Sequence, residues 1–286
     1  MPSIQSLFPV AALSAALALC TPASAESLED AEKEVREELG ERFHVHTVRG
    51  LFVVATDLKG ESRNRMAGLV DRTYDALYDE FFEVRPTEPI KVYLFRREAD
   101  YETYCKRKYK RACGTPFGFY VEADRRMVMN ISTGGGTLNH ELVHPLLETD
   151  FPQVPAWFNE GLASLFEGAY YNKEGRLRGM LNWRLPGLQS TLREDPKAVS
   201  LRDLMTTTRK QFYDDDSGTH NAAARHLLLY LQRKHLLQRY YEEFKKTAKA
   251  DPTGITAMET VTGKKLAELE KEWLRWVRSQ KYERRG

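Results

Sequence analysis

Two histidines four residues apart, with a glutamate directly after the first, stand in the segment TLNHELVHPLLE, Thr137 to Glu148. A helix turns about 100° per residue, so His140 and His144 fall one turn apart and only about 40° apart around the axis. Both imidazoles can therefore reach one ion. Glu141 lies a step further round, close enough to touch a water on that ion without being a ligand. Downstream, PAWFNEGLASLFEG, Pro155 to Gly168, reads as a second helix entered through a short connection that holds Pro152 and Pro155. Its Glu160 supplies a third ligand. Two histidines, one carboxylate and a fourth position left for water make an open catalytic site for one Zn2+ per chain, with Glu141 as the base. The small residues beside Glu160, namely Gly161, Ala163 and Ser164, are expected to let the two helices approach closely.

The two helical motifs taken together, HELVH and WFNEGLA, resemble the gluzincin metallopeptidases, the group of aminopeptidase N and thermolysin, and most closely the peptidase-MA-like proteins of bacterial envelopes. The resemblance runs from about Gly118 to the C-terminal GKKLAELEKEWLRWVRS. It implies a zincin-like fold, zinc ligation by His140, His144 and Glu160, general-base catalysis by Glu141, and hydrolysis of peptide bonds. It also implies that a strand ahead of the active helix, RMVMN, binds an extended substrate by strand addition. Two features depart from the pattern. The interval between His144 and Glu160 is shorter than in aminopeptidase N, and the exopeptidase signature ahead of that enzyme's motif is missing, so an endopeptidase is expected. Pro145 removes a backbone donor directly after the second histidine and should kink the helix.

A peptidase of this type needs a further donor for the oxyanion. His220, just ahead of NAAARHLLLYL, and Tyr213 are the candidates, and Asn221 stands where related proteins are expected to carry tyrosine. Glu148 and Asn159 either support the ligands from behind or cap helices and face solvent. His44 and His46 share one strand face and are read as an exposed or hydrogen-bonded pair. His226 and His235 are read as packing residues, and Trp157, Trp183, Trp273 and Trp276 as core or inter-helix anchors.

The elements that must position these groups follow from periodicity. SLEDAEKEVREELG reads as a capped helix, FHVHTVRGLFVVATD as a hairpin turning at Arg49-Gly50, and Ser62 to Phe82 as an amphipathic helix stopped by Pro86 and Pro89. A strand (IKVYLF), a helix from about Glu98 to Tyr109, and two strands around Ala123-Asp124 lead through Gly134-Gly135-Gly136 to the motif helix. Beyond Phe166, helices are expected at about Leu201 to Phe212, Asn221 to Lys234, Leu236 to Lys249 and Lys264 to Gln280. The fold class is α+β, with a mixed α/β lobe over residues 26–168 followed by an all-helical lobe over 169–286.

Composition narrows the setting. A net charge of +2 implies no nucleic-acid partner. No charged side chain precedes Glu26, and the apolar run Val10 to Leu19 ends in Ala23-Ser24-Ala25, which reads as a secretory signal over residues 1–25. That run is too short to span a bilayer, so no stable membrane insertion is expected, and the mature chain belongs in the periplasm or outside the cell. A lipid anchor at Cys20 is the alternative, with bulky Leu19 against it. Once Cys20 is removed, Cys105 and Cys113 are the remaining pair, expected to be bonded after export; two buried free thiols are the alternative. The basic run CKRKYKR is either a solvated helix end or a contact for an acidic partner or wall polymer. The functional expectation is a secreted or periplasmic zinc endopeptidase acting on peptides or proteins. The alternative is a non-catalytic zinc module that holds a peptide or envelope partner in the same cleft, and the presence of Glu141 favours the enzyme.

Overall fold

The structure, a computed structural model, describes residues 26–215 and 217–283; the expected signal segment, residues 1–25, lies outside the described residues. Helix α1 (Leu28–Leu39) starts at Ser27, whose hydroxyl accepts from the Asp30 backbone N–H, and ends at Gly40 with φ +73°. Strands β1 (His44–Val48) and β2 (Phe52–Thr56) form the expected antiparallel hairpin. The register pairs Val48 with Phe52, so three residues link the strands; Arg49 and Gly50 both take positive φ there, and the Leu51 N–H donates to the Val48 carbonyl at 3.2 Å. Helix α2 (Gly60–Tyr78) then crosses to β3 (Ile90–Phe95), which lies parallel to β2. It stops four residues before Phe82, because the N–H groups of Phe81 and Phe82 both fold back onto the Leu77 carbonyl. Helix α3 (Glu98–Tyr109) and strand β4 (Gly118–Val121) precede β5 (Arg126–Asn130).

Strand order is β1-β2-β3-β5-β4, with β5 parallel to β3 and antiparallel to β4. This corrects the expectation for RMVMN. As β5 it is interior, with its backbone groups engaged on both sides, so the edge free to accept another strand on this side of the sheet is β4. Alternate residues sort to the two faces of the sheet. Val53, Ala55, Tyr93, Phe95 and Val128 pack toward α1 and α3, whereas Phe52, Val54, Val92, Leu94, Met127 and Met129 join the larger core. Cys105 and Cys113 are bonded, closing the loop after α3.

The motif helix α4 (Gly135–Asp150) carries Pro145 without ending there. Helix α5 (Ala156–Glu167) packs against it, and a small hairpin follows, β6 (Ala169–Tyr171) with β7 (Leu177–Gly179), a departure from the all-helical expectation. Next come α6 (Arg184–Glu194), α7 (Leu201–Thr206), α8 (Arg209–Tyr213), α9 (Thr219–Arg233), α10 (Leu237–Thr247), α11 (Ile255–Thr262) and α12 (Leu266–Ser279). The single helix expected over Leu201 to Phe212 is two, because Thr208 and Gln211 form a reciprocal capping box that starts α8 afresh. The larger core runs without a break from Leu51 to Val277, so the two expected lobes share one interior. Trp157 and Trp273 are fully buried there, and Trp276 packs edge-on against Tyr230. Trp183 is 53% exposed, with the Arg184 guanidinium 4.8 Å over its ring, and is not a core residue. His226 is buried with Nδ1 against the Ala222 carbonyl, whereas His235 is exposed at φ +58° just past α9 and is not a packing residue.

Asp150 locks the end of α4 to its surroundings. Its buried carboxylate accepts from the N–H groups of Glu83 (2.7 Å) and Val84 (2.6 Å), from Lys245 Nζ at 2.8 Å, and from the Tyr241 hydroxyl. Burial alone would raise its pKa, but Lys245, Tyr241 and the two amides outweigh that and hold it below the ordinary value of 3.8. A depressed folded-state pKa stabilises above the unfolded value, and the effect is lost as pH falls through the folded one. Asp150→Ala should destabilise the protein by about 3 kcal/mol at pH 7. In chemical denaturation this gap should narrow as pH drops below 4; a gap independent of pH would contradict the charge network.

Candidate functional site

The site is built where α4 and α5 lie side by side. At the start of α4 the approach is so close that a Cβ on Gly136 would collide with the Glu167 carbonyl oxygen. One turn on, Asn139 Nδ2 donates to the Phe166 carbonyl at 3.4 Å, while Thr73 of α2 donates to Asn139 Oδ1 at 2.8 Å. Further along, His144 meets Asn159. The glycine that permits the α4 and α5 contact is therefore Gly136. Gly161, expected to serve that purpose, faces α9 instead, where its Cβ position lies 3.2 Å from Ala224.

This crossing brings together His140, His144 and Glu160, whose donor atoms all lie within 4.8 Å of one another. His140 Nε2 stands 3.5 Å from Glu160 Oε2. Ligands held about 2.0–2.1 Å from a tetrahedral ion are about 3.3 Å apart, so the His140 and Glu160 donors stand at a separation that suits one cation, with the His144 donor within 4.8 Å of both. Side-chain exposures of 16% for His140 and 13% for Glu160 leave the site reachable from solvent. Among the described residues this is the one cluster of histidine, cysteine and carboxylate groups arranged to hold a metal; His44 and His46 stack at 5.4 Å but gather no third donor.

Second contacts orient the donors. His144 Nδ1 lies 2.8 Å from Asn159 Oδ1, and Asn159 Nδ2 donates to Glu148 Oε1 at 2.9 Å. An amide oxygen only accepts, so Nδ1 carries the proton and the Nε2 lone pair is free to face the cation. Glu148 and Asn159 thus support the ligands from behind. Tyr213 donates its hydroxyl to Glu160 Oε1 at 2.8 Å, which turns Oε2 toward His140.

The electrostatics favour a positive charge among these groups. Burial would depress the His140 pKa, but Glu160 and Glu141 overcome it and raise it to about 9. Burial would raise Glu160, yet His144, His140 and the Tyr213 hydroxyl hold it down at about 2. Glu141 behaves differently. Burial, the dominant cause, pushes its pKa up despite the two histidines, and it makes no hydrogen bond or ion pair among the described residues. Desolvation and the adjacent Glu160 carboxylate raise the Tyr213 pKa, so its hydroxyl keeps its proton.

His140, Glu141 and Glu160 open into a cleft of about 470 Å³. Thr115, Phe117 and Gly118 form one lip at the start of β4, Arg184 and Leu188 of α6 form another wall, and Asn221 borders it from the first turn of α9. Tyr213 does not line it, and neither does His220. The His220 ring stacks on Phe212 at 5.6 Å, and its Nδ1 lies 3.7 Å from Asp215. Of the two oxyanion candidates, the fold brings Tyr213 to the ligands and turns His220 aside. Phe117 and Trp183, both strongly exposed, lie on or beside the rim.

The sequence reading missed the pair Arg184 and Glu167, joined at 2.5 Å in the cleft wall. Glu167 had a signal, since seven residues after Glu160 it repeats the same helical face. Arg184, in WRLPGL, had none. A scan against models of known protein families finds no match to this chain, and a search of curated proteins finds none either. What is known of the site thus rests on its own residues and geometry. Titration against a chromophoric chelator should show Asn159→Ala weakening metal binding by about 10- to 100-fold. Glu160→Ala should weaken it further, and unchanged affinity there would remove Glu160 from the ligand set.

Proposed function

We propose that this chain is an exported zinc-dependent peptidase that hydrolyses peptide bonds within extended polypeptides. The observation that carries this reading is the setting of Glu141. It is a largely buried carboxyl that borders the cleft beside three convergent metal donors and makes no hydrogen bond or ion pair among the described residues. Burying a carboxyl without a partner is costly, and a structural role would supply one. A general base needs the free position instead. The alternative, a zinc-containing module that only holds a peptide, gives no use for that carboxyl.

His140, His144 and Glu160 would hold the ion, and the two imidazoles and one carboxylate suit zinc. When bound, zinc supplies Lewis acidity, polarising the scissile carbonyl and lowering the pKa of water. Glu141 takes the proton from the attacking water and returns it to the leaving amine nitrogen; its raised pKa suits a group that must hold a proton between the two transfers. Tyr213 leaves Glu160 Oε1 and donates its hydroxyl to the carbonyl oxygen as negative charge develops there. The substrate lies extended along the free edge of β4, pairing its backbone with the unpaired groups of that strand.

Glu141→Gln should keep the metal and lower kcat by at least about 100-fold in a peptide-library cleavage assay run with and without chelator. Cleavage by the variant at the wild-type rate would remove the mechanism. Tyr213→Phe should lower kcat by about 100-fold with metal content unchanged, while His220→Ala stays within about twofold; the reverse ranking would return the donor role to His220.

A further inference from the structure

We propose that the loop closed by Cys105 and Cys113 is a docking surface for an acidic segment of the polypeptide that enters the cleft. The inference rests on reading that cleft as a polypeptide site. Within nine residues the loop carries Lys106, Arg107, Lys108, Lys110 and Arg111. The first three lie in the last turn of α3, where cations complement the helix dipole. Two of these are also engaged: Lys108 Nζ lies 3.0 Å from Glu38 Oε1, and Arg107 donates to the Glu38 carbonyl oxygen at 3.0 Å. Neither reason reaches Lys110 and Arg111, which lie beyond the helix. Together with Lys106 they are exposed, and no ion pair forms to any of the three among the described residues.

The loop is fixed to the cleft rather than free beside it. Lys110 adopts φ +57°, reversing the chain toward Cys113, and the disulfide closes the turn across a Cα separation of 5.2 Å. Tyr101 then donates to the Thr115 carbonyl at 2.9 Å, Asn130 Nδ2 to the Pro116 carbonyl at 3.0 Å, and the Asn130 N–H to the Phe117 carbonyl at 2.8 Å. Thr115 and Phe117 are the cleft lip itself. Arg111 bends back along this path, with Nη1 4.0 Å from the Cβ position of Gly114. Arg111 and Lys110 are thus tethered four and five residues ahead of Thr115 in the lip, within reach of the flank of a polypeptide bound there.

At the other end of β4, Glu122 is exposed after Val121, while Arg125 and Arg126 just beyond it are paired with Glu88 and Asp124. A strand added along β4 meets cations near Gly118 and a carboxylate past Val121, which favours acidic residues on the flank that reaches the loop. Three free cations are too few for tight binding to a nucleic acid or membrane, where affinity grows with each phosphate neutralised. They are enough to bias the choice and orientation of a polypeptide already held by its backbone.

The test uses quenched fluorescent peptides with one scissile core and three Glu, three Ser or three Lys on either flank. For the full chain loaded with zinc, Glu on one flank should raise kcat/KM over Ser by about tenfold at low salt, and the ratio should approach one at about 0.5 M salt. The double variant Lys110→Glu/Arg111→Glu should invert the ranking to favour Lys on that flank. Equal rates for Glu and Ser flanks, or an unaltered preference in the double variant, would overturn the proposal. Anisotropy with the Glu141→Gln protein reads docking without turnover. Acid-selective binding by a wild type that cleaves nothing would sink the peptidase reading and keep the docking surface; cleavage without flank preference would do the opposite. Binding to phosphatidylserine vesicles as strong as to the acidic peptides would replace the polypeptide by a lipid surface and overturn the choice of partner.

Discussion

Gathering Glu141, Glu160 and two imidazoles out of water at one helix crossing is unfavourable unless a positive charge sits among them. Two buried or nearly buried carboxyls with Glu167 close behind repel each other, and their charge raises the His140 pKa while the two histidines hold that of Glu160 down. The position of that charge is set by the spacing of α4 and α5. Gly136 allows the helices to touch backbone to side chain, and Asn139 and Asn159 fix their register by hydrogen bonds at either side of His140. A shift of one helical turn would move Glu160 about 5 Å and dissolve the triad.

The rest of the molecule serves that crossing. The sheet supports α4 through Met127, Met129 and Leu142, and α9 holds α5 from behind by packing Ala224 and Leu228 into the space left open at Gly161. Arg225 of α9 is fully buried and donates Nε to the Ser164 carbonyl at 2.9 Å, satisfying an acceptor in the last turn of α5. A cation there also complements the end of the helix that carries Glu160. Opposite, the cysteine loop, Tyr101 and Asn130 pin the lip at Thr115 to Phe117, so the metal donors and the free edge of β4 keep a fixed relation. Catalysis of the proposed kind requires that relation, because a substrate strand must present its carbonyl to the triad within a fraction of an ångström.

Much of this was legible in the sequence because local spacing carries it. HELVH determines which side chains share a helical face, and Asn159 next to Glu160 places a polar group where it can reach a ligand from behind. The hairpin at Arg49-Gly50 and the pairing of Cys105 with Cys113 are equally local. What failed depended on partners distant in the chain. RMVMN has the pattern of a strand, but only the sheet order shows that it is interior. Gly161 is small in every context, and only the position of α9 shows which helix needed the space. His220 and Tyr213 are separated by a turn whose path decides which of them faces Glu160, and no periodicity encodes it. Trp183 looked like a core residue because large apolar side chains usually are, yet it stands beside the cleft.

In the proposed site, His140, His144 and Glu160 bind one zinc ion with an open fourth position. X-ray absorption at the zinc K-edge, on protein loaded with one equivalent, tests it most directly. Two imidazole nitrogens and carboxylate plus solvent oxygen are expected at about 2.0–2.1 Å, with an imidazole signal that weakens in His144→Ala. A sulfur shell at about 2.3 Å, or an imidazole signal unchanged in that variant, would contradict it.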